Sequence, residues 1–284
     1  MKNTVSAIVP TRDRREMAVQ ALTSIVNQTR PPEEIIVADD GDGGTGALLA
    51  KLFENVRAIH TAGRGAAAAR NEAASLARGD WLAFCDDDDT WQPQRLEAQL
   101  AAVTDEADLF YADALCSDGR RALEEREARE GLVFGSLLLD NWIPTSTVLL
   151  RRSSFEKAGG FEARFCPAED YRLWLRLSHF GRFVKIDKPL AVYRQHPGQL
   201  QADTARMAGA TADVVEDALG EAGWRTTQIP NLTTRLRELR FVQARALMAE
   251  GRRGEARRAY GRAWRHQPAY LKAPLFWALS FFGK

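Results

Sequence analysis

The chain of 284 residues is long enough for one large domain or for one domain with a small appendage. Hydrophobic residues make up 45% of it and the formal net charge is +1, so we expect a globular core and no general attraction to nucleic acid. Three widely spaced cysteines, Cys85, Cys116 and Cys166, fit neither a zinc pattern nor a disulfide framework and indicate a reducing, cytoplasmic compartment. We expect no signal peptide and no membrane-spanning segment, because no apolar run approaches the roughly 20 residues that a bilayer requires.

The first third of the chain alternates short apolar runs with helical patterns. The runs at 5–9, 34–38, 56–60 and 81–85 have the length and composition of buried strands. Between them, helical spacing covers 14–28 and 46–53, and a Gly-containing turn at 63–65 opens an Ala-rich helix that ends at 77. Strands that alternate with helices through short loops predict a doubly wound α/β sheet.

Four consecutive carboxylates, Asp86 to Asp89, follow the fourth apolar run. Adjacent carboxylates repel one another, and a divalent cation is the compensating charge that hard oxygen ligands select. Ligands of open α/β sheets bind at the carboxyl ends of the strands, which is where this cluster falls. The alternative is a solvated acidic turn that caps a helix starting near Pro93. The buried run before the cluster and the Trp and Pro behind it favour a metal site.

Polar motifs also accompany the other strands. They are Pro10-Thr11-Arg12 after the first strand, Asp39-Asp40 after the second, Gly65-(x)4-Arg70-Asn71 before the fourth, and Asp86-x-Asp88 after it. In this order and spacing the four motifs resemble the nucleotide-sugar half of a family 2 glycosyltransferase of the GT-A type. The resemblance implies an α/β fold of that type, with a Rossmann-like mixed sheet flanked by helices.

For the nucleoside, the resemblance implies contacts from the ends of the first two strands. Asp40 would accept the N–H of a uracil-type base, and Asp39 would hold the loop in place. The base and the ribose would be lined by Pro10, Thr11 and Arg12.

For the diphosphate and the metal, the resemblance implies contacts from the other two motifs. Gly65 would allow close backbone approach, and Arg70 would bring positive charge to the phosphate oxygens. Asp88 is the expected direct ligand of Mn²⁺ or Mg²⁺, while Asp86 and Asp87 would contact ribose or sugar. An ordinary salt bridge on the helix surface is the alternative for Arg70.

The next part of the chain resembles the acceptor half of the same family. A strand-like run at 108–115 precedes a charged excursion at 117–129, which we predict to be a hairpin or loop near the acceptor. The segments 141–152 and 155–161 are similar to the family's approach to the acceptor site, and 168–177 resembles its "ED" helix. Asp170 is the family position of the general base that takes the proton of the attacking hydroxyl. Glu169 would orient the acceptor or the loop. The alternative is that both acids only cap a helix at 171–178.

His196 follows a strand-like run at 188–193. The resemblance implies that this His reaches the metal or the diphosphate, and a simple polar contact is the alternative.

Beyond about residue 201 the strands stop, and helical patterns cover 207–219, 232–249, 253–266 and 269–282. Residues 254–268 look like one half of a tetratricopeptide repeat. Because solenoids need about three repeats, a helical hairpin packed on the catalytic domain is preferred. We therefore predict a catalytic domain at 1–200, with a nucleotide-sugar half at 1–105 and an acceptor half at 106–200. A helical region would follow at 201–284.

The predicted activity is the inverting, metal-dependent transfer of a sugar from a UDP-linked donor. The acceptor would be a hydroxyl of a glycan or lipid-linked molecule in cell-surface polysaccharide synthesis. An inactive scaffold is one alternative, against which the intact Asp88 and Asp170 argue. A sugar-phosphate nucleotidyltransferase would need a Gly-rich N-terminal loop, and 9–13 contains no Gly. A glycosidase with paired carboxylates would leave the expected nucleobase-binding site at Asp39 and Asp40 unexplained.

The end of the chain is strongly basic, with twelve Lys and Arg against three Glu between residues 235 and 284. It also carries the apolar residues Leu275, Phe276, Trp277, Leu279, Phe281 and Phe282. This composition is typical of a membrane-surface anchor, so we expect peripheral contact with the inner membrane face. The alternative is that these side chains pack on the catalytic domain with the arginines solvated around them.

Overall fold

The structure is a computed structural model that describes residues 3–123, 129–194, 203–223, 229–268 and 272–280. The chain divides into two compact units. The first unit comprises Met1–Phe134, Trp142–Ala163 and Arg176–Gln195, and the second comprises Gly135–Asn141, Arg164–Leu175 and His196–Lys284. The predicted domain boundary near residue 200 stays a prediction.

The first unit is built on one mixed sheet whose strands lie in the order β3-β2-β1-β4-β7-β6-β8-β5. The neighbours β1, β2, β3 and β4 pair in parallel, whereas β7 runs antiparallel to both β4 and β6. The strands are β1 (Val5–Thr11), β2 (Glu34–Asp39), β3 (Val56–His60), β4 (Trp81–Phe84), β5 (Thr90–Trp91), β6 (Leu109–Cys116), β7 (Leu149–Arg151) and β8 (Phe183–Tyr193).

Helices connect the strands in the first unit and make up most of the second. They are α1 (Arg15–Val26), α2 (Gly44–Leu52), α3 (Ala66–Leu76), α4 (Arg95–Ala101), α5 (Phe134–Leu137), α6 (Arg152–Ala158), α7 (Glu169–Leu177), α8 (Thr204–Ala222), α9 (Leu232–Ala249), α10 (Arg253–His266) and α11 (Lys272–Leu279). Within the described ranges, no helix combines the length and the hydrophobicity that crossing a bilayer demands.

The core of the first unit lies around the central strands β1 and β4. Every residue of both strands is buried, which is why the sequence there reads as continuous apolar runs. Helix α1 covers the sheet with Ala18, Ala21, Leu22 and Ile25, a stripe at helical spacing. Truncation of the fully buried Leu22 to Ala would cost about 2–5 kcal/mol of stability. The well-packed core therefore holds the carboxyl ends of these strands in fixed positions.

The predicted α/β alternation is confirmed, with differences at some boundaries. Strand β8 begins at Phe183 rather than at 188, because its pairing with β6 already starts between Leu109 and Phe183. Helix α7 begins at Glu169, two residues before the predicted start. The charged excursion starts with a tight turn, in which the Cys116 N–H donates to the Arg120 carbonyl at 2.7 Å. Residues 124–128 of that excursion lie outside the described part of the chain.

In the second unit, α9 and α10 pack against each other and are joined by a short turn. They form a helical hairpin of the kind predicted from the sequence. Their shared core includes Ala244, Leu247, Ala256 and Tyr260. Arg240 of α9 is fully buried, and its guanidinium donates to Asp213 at 2.6 Å and to Glu216 at 2.8 Å, both on α8. This ion-pair network joins α8 to α9.

Candidate functional site

The candidate site lies at the carboxyl ends of β1, β2 and β4. These strands are parallel neighbours, so the loops that follow them emerge at the same edge of the sheet. Thr11 at the end of β1 is in register with Asp39 at the end of β2. The predicted polar motifs are therefore brought together by the order of the strands.

Asp39 is the last residue of β2 and Asp40 follows it, and the two carboxylates make different contacts. Asp39 accepts backbone N–H groups with both oxygens, from Gly41 at 2.9 Å and from Gly46 at 2.7 Å. Asp39 therefore fixes the turn between β2 and α2. Asp40 accepts the Thr61 hydroxyl at 2.7 Å and the Gly65 N–H at 2.8 Å. A carboxylate has about four lone-pair sites, so Asp40 can accept a further hydrogen bond.

Gly65 stands immediately before α3 with a φ of 92°, a backbone conformation that favours Gly. A Cβ built at this position meets no atom within 4 Å, so there is open space in front of its backbone. The first N–H groups of α3 lack partners within the helix and carry the positive end of its dipole. This arrangement suits an anionic group beside Gly65.

Arg70 projects from α3 and is 7% exposed. Its Nη2 donates to Asp86 Oδ1 at 2.5 Å, and its guanidinium lies over the ring of Phe161 at 5.4 Å. The alternative of a salt bridge on the helix surface does not hold for a side chain this buried. Arg70 instead places a positive charge against the carboxylate cluster.

The four carboxylates after β4 do not form a solvated turn, because Asp87, Asp88 and Asp89 are all buried. Asp86, Asp88 and Asp89 each offer one oxygen, and these three oxygens lie within 4.8 Å of one another. Asp87 points elsewhere, since its oxygens accept the Thr11 hydroxyl at 2.8 Å and Arg14 at 3.0 Å. The structure thus groups three of the four as one set of candidate metal ligands.

Arg14, just before α1, contacts two of these carboxylates. Its Nη1 lies 3.0 Å from Asp87 Oδ1 and 2.8 Å from Asp88 Oδ2. Arg12, which was expected to line the base, is largely exposed and reaches Asp40 at 4.0 Å. Pro10 is buried within β1, beside Ala38.

Asp89 is the most deeply buried member of the ligand set. Burial, together with the charges of Asp86 and Asp88, raises the pKa of Asp89 well above its ordinary value. The Arg194 N–H donates to Asp89 at 3.2 Å, and the Arg194 side chain donates to the backbone carbonyls of Asp87 and Asp88. Arg194 therefore holds the carboxylate loop against the end of β8.

Arg95 of α4 is fully buried and contacts the backbone just before the carboxylate loop. It donates to the Phe84 carbonyl at 3.4 Å and to the Val148 carbonyl at 2.7 Å, and it stacks on the ring of Trp91 at 3.8 Å. Burial lowers the pKa of Arg95 to about 9. Its role is to position the end of β4.

Glu169 and Asp170 lie in the second unit, in the first turn of α7. Glu169 is buried, and Asp170 Oδ1 accepts the Tyr171 N–H at 2.5 Å. Acids in the first turn suit the helix dipole, so the capping alternative is compatible with this position. His196 lies outside the described residues. The roles predicted for these three residues stay predictions.

Besides the buried Arg95, three residues of the site were not recognised from the sequence. Arg14 looked like the start of a helix, Asp89 was one of four identical residues, and Arg194 was read only as the end of a strand. The signal for Asp89 was present, because the whole Asp run follows a buried strand.

Comparison with known proteins agrees with this arrangement. The family described as glycosyl transferase family 2 matches residues 6–158. The UDP-Glc:alpha-D-GlcNAc-diphosphoundecaprenol beta-1,3-glucosyltransferase WfgD of Escherichia coli is 27% identical over 177 residues, which cover 61% of this chain and 69% of that protein. The amylovoran biosynthesis glycosyltransferase AmsB of Erwinia amylovora is 26% identical over 227 residues, which cover 68% of this chain and 73% of that protein.

Among solved structures, the mannosyltransferase PcManGT of Pyrobaculum calidifontis, in complex with GDP-Man and Mn²⁺, matches with a TM-score of 0.65 at 18% identity. The match covers 98% of this chain and 80% of that chain. It confirms the predicted GT-A fold class, with a mixed sheet and C-terminal helices. Because the family match spans more than half of the sequence, the chain belongs to glycosyl transferase family 2.

Proposed function

We propose that this chain transfers a sugar, with inversion, from a UDP-linked donor to a hydroxyl group of a glycan or lipid-linked acceptor. The observation that carries the proposal is the meeting of two features at one sheet edge. A carboxylate with remaining acceptor capacity, Asp40, follows β2, and a set of three metal-type carboxylates follows β4. These are the groups that a nucleoside diphosphate needs at its two ends.

The donor would bind along this edge. Asp40 would accept the N–H of the base, and Thr11 and Arg12 would lie against the base and ribose. The diphosphate would meet the N-terminus of α3 at Gly65, where the backbone is open, and the positive charge of Arg70. Asp86 and Asp87 would contact ribose or sugar, and Asp86, which accepts from Arg70 with Oδ1, also belongs to the set of candidate metal ligands.

The residues after β4 fit a divalent cation. Three carboxylate oxygens within 4.8 Å of one another form a hard donor set suited to Mn²⁺ or Mg²⁺. The buried Asp89 has like charges beside it, so a cation would relieve an unfavourable arrangement. Asp88 is the proposed direct ligand, and His196 is a proposed further one. A bound cation would supply charge neutralisation of the leaving diphosphate.

The chain's own residues would carry out the rest of the reaction. Asp170 would take the proton from the acceptor hydroxyl as that oxygen forms a bond to the anomeric carbon, on the face opposite the leaving diphosphate. Arg70 would stabilise the negative charge that develops on the leaving group. Glu169 would orient the acceptor. The role of Asp170 rests on the family resemblance and on this chemical requirement.

The names of relatives support the proposed acceptor class. WfgD is named for transfer from UDP-Glc to a diphosphoundecaprenol-linked sugar, and AmsB is named for amylovoran biosynthesis. PcManGT was solved with GDP-Man, so UDP and GDP donors both occur among similar proteins. We propose that this chain acts in polysaccharide synthesis at the cytoplasmic membrane face, on a lipid-linked acceptor.

A transfer assay tests the proposal. The protein is incubated with Mn²⁺, a panel of UDP- and GDP-sugars and a diphosphoundecaprenol-linked sugar, and the anomeric configuration of the product is read by NMR. The expected result is a product whose anomeric configuration is opposite to that of the donor. The Asp170→Asn variant is the matched control for chemistry without loss of donor binding. Retention of configuration, or equal turnover by the variant, would contradict the proposed mechanism.

A further inference from the structure

The last two helices expose large apolar side chains that the proposed sugar transfer does not use. Trp264 on α10 is 47% exposed, and Leu275 and Trp277 on α11 are 57% and 43% exposed. We call these three residues the apolar patch. Phe276, which lies between the last two, is 38% exposed, and its ring contacts Phe241 at 5.4 Å and stacks on Tyr260 at 6.0 Å. Helix α11 is therefore docked by one side while its flanks face solvent.

The composition of α11 is unusual for a helix at a protein surface. After Lys272, its remaining seven residues are all apolar, whereas a surface helix normally carries polar residues opposite its buried stripe. Trp264 lies near the C-terminal end of α10, and its indole N–H donates to the Pro268 carbonyl at 3.0 Å. Helices α10 and α11 pack against each other, so the three exposed residues lie on adjacent helices. Large exposed apolar side chains on adjacent elements mark an interaction surface.

Basic side chains accompany the apolar patch. Arg258 and Arg265 on α10 and Lys272 on α11 are exposed. The twelve Lys and Arg between residues 235 and 284 are not all available to a partner, because Arg240 is buried in ion pairs with Asp213 and Glu216, and Arg252 and Arg262 also pair with carboxylates. The exposed charge that would face a partner is that of Arg258, Arg265 and Lys272. A second copy of the chain would bring the same positive charge to a symmetric interface, which opposes self-association through this patch. The charge instead complements a negatively charged surface.

We propose that the apolar patch and the exposed basic residues of the same two helices dock on an anionic phospholipid bilayer. Trp264, Leu275 and Trp277 would enter the boundary between headgroups and acyl chains, where Trp is favoured. Arg258 and Arg265 would contact the lipid phosphates. Helix α11 has 8 residues, which suits a position in the interface and not a span. Docking would hold the protein beside a lipid-linked acceptor, yet the binding itself does not depend on the proposed transfer.

Vesicle sedimentation of the full chain tests the proposal. Phosphatidylcholine vesicles are compared with vesicles that also contain phosphatidylglycerol, over a series of NaCl concentrations. We expect binding only to the anionic vesicles, with release as salt rises, because exposed charges are screened. The double change Leu275→Ser and Trp277→Ser should weaken binding by about tenfold or more. The double change Arg258→Glu and Arg265→Glu should also weaken it at least about tenfold, since each basic residue contributes about fivefold.

Matched controls lie in the first unit. Leu52 is 55% exposed, close to the value for Leu275, so Leu52→Ser removes a similar apolar surface elsewhere. Arg78 is exposed and serves as the control for charge through Arg78→Glu. Both controls should bind anionic vesicles like the parent, and thermal unfolding should be similar for all variants.

Three results would overturn the proposal. One is the absence of binding to anionic vesicles at low salt, and another is parent-like binding by the serine double variant. The third is a parent that self-associates without lipid while the serine double variant stays monomeric, which would make the patch an interface between copies. Donor binding, measured separately by calorimetry, tells these failures apart from failure of the proposed transfer.

Discussion

Replacement of Asp40 by Asn should weaken nucleotide binding by about ten- to a hundredfold. The substitution keeps the shape of the side chain but removes the charge and one acceptor oxygen. A hydrogen bond from a base N–H to a charged acceptor contributes about 1.5–3 kcal/mol. Since about 1.4 kcal/mol corresponds to a tenfold change in affinity, the loss of this bond sets the expected range.

The contacts of Asp40 predict that its replacement leaves the fold nearly intact. One oxygen accepts the Gly65 N–H, and the new amide oxygen can keep that bond. The other accepts the Thr61 hydroxyl, which can rotate and accept a hydrogen bond from the new amide nitrogen. We therefore expect Asp40→Asn to change the free energy of unfolding by less than about 1 kcal/mol.

Asp39 provides the matched control. Both of its oxygens accept backbone N–H groups, which cannot turn into acceptors. In Asp39→Asn the new amide nitrogen would face an N–H donor and leave it unsatisfied, at a cost of about 1–3 kcal/mol. For a protein of this size, each kcal/mol lowers Tm by about 2–4 °C. The two neighbouring carboxylates should thus separate an effect on binding from an effect on stability.

Calorimetric titration of UDP in the presence of Mn²⁺, together with thermal unfolding, measures both effects. The expected pattern is weak binding with parent-like Tm for Asp40→Asn, and lowered Tm for Asp39→Asn. If Asp40→Asn binds UDP as tightly as the parent, Asp40 does not accept a hydrogen bond from the uracil N–H. If it unfolds several degrees earlier, the contacts assigned to Thr61 and Gly65 are wrong.

The remaining predictions concern the metal ligand, the catalytic general base and the helical region. Asp88→Asn should abolish Mn²⁺-dependent donor binding while circular dichroism stays unchanged, and parent-like binding of Mn²⁺ and donor would rule out Asp88 as a ligand. Asp170→Asn should lower turnover on the order of 10²–10⁴-fold with donor affinity little changed, and parent-like turnover would remove Asp170 from the mechanism. In the second unit, burial alone would raise the pKa of Glu216, but hydrogen bonds from His266 and Arg240 outweigh it and lower the pKa to about 2. A carboxyl whose pKa is lower in the folded state adds stability that is present above its unfolded value of 4.5 and is lost as pH falls to about 2. Allowing for partial exposure, Glu216→Gln should lower the free energy of unfolding by about 1–2 kcal/mol at neutral pH, and the difference should vanish in acid. An equal difference at both pH values, measured by urea unfolding, would contradict the ion-pair assignment.

The strands and the position of the site could be predicted from the sequence for one physical reason. Parallel strands that are buried on both faces have continuous apolar sequences. The polar residues at their carboxyl ends must therefore lie along one edge of the sheet. The runs around Val9, Val37 and Phe84 carried this information. The start of β8 at Phe183 could not be read in this way, because half of that strand is only partly buried and its sequence is mixed.

Long-range side-chain pairs were the part that sequence patterns could not supply. Arg14 reaches Asp88 across 74 positions, and Arg194 reaches Asp87 and Asp88 from the far end of the unit. The buried Arg95 was also unexpected, since its partners are backbone carbonyls and a tryptophan ring, which leave no charge pattern in the sequence. Such contacts depend on the order of the strands in the sheet.

Metal-dependent donor binding is the step on which the proposed function depends. A calorimetric titration of the full chain with a panel of UDP- and GDP-sugars, with Mn²⁺ and with EDTA in its place, measures this step directly. We predict that a UDP-sugar binds when Mn²⁺ is present, that its affinity falls when EDTA replaces the metal, and that Asp88→Asn removes the difference. The proposed metal-dependent function would be contradicted if no nucleotide sugar in the panel binds, or if the affinity is the same with Mn²⁺ and with EDTA.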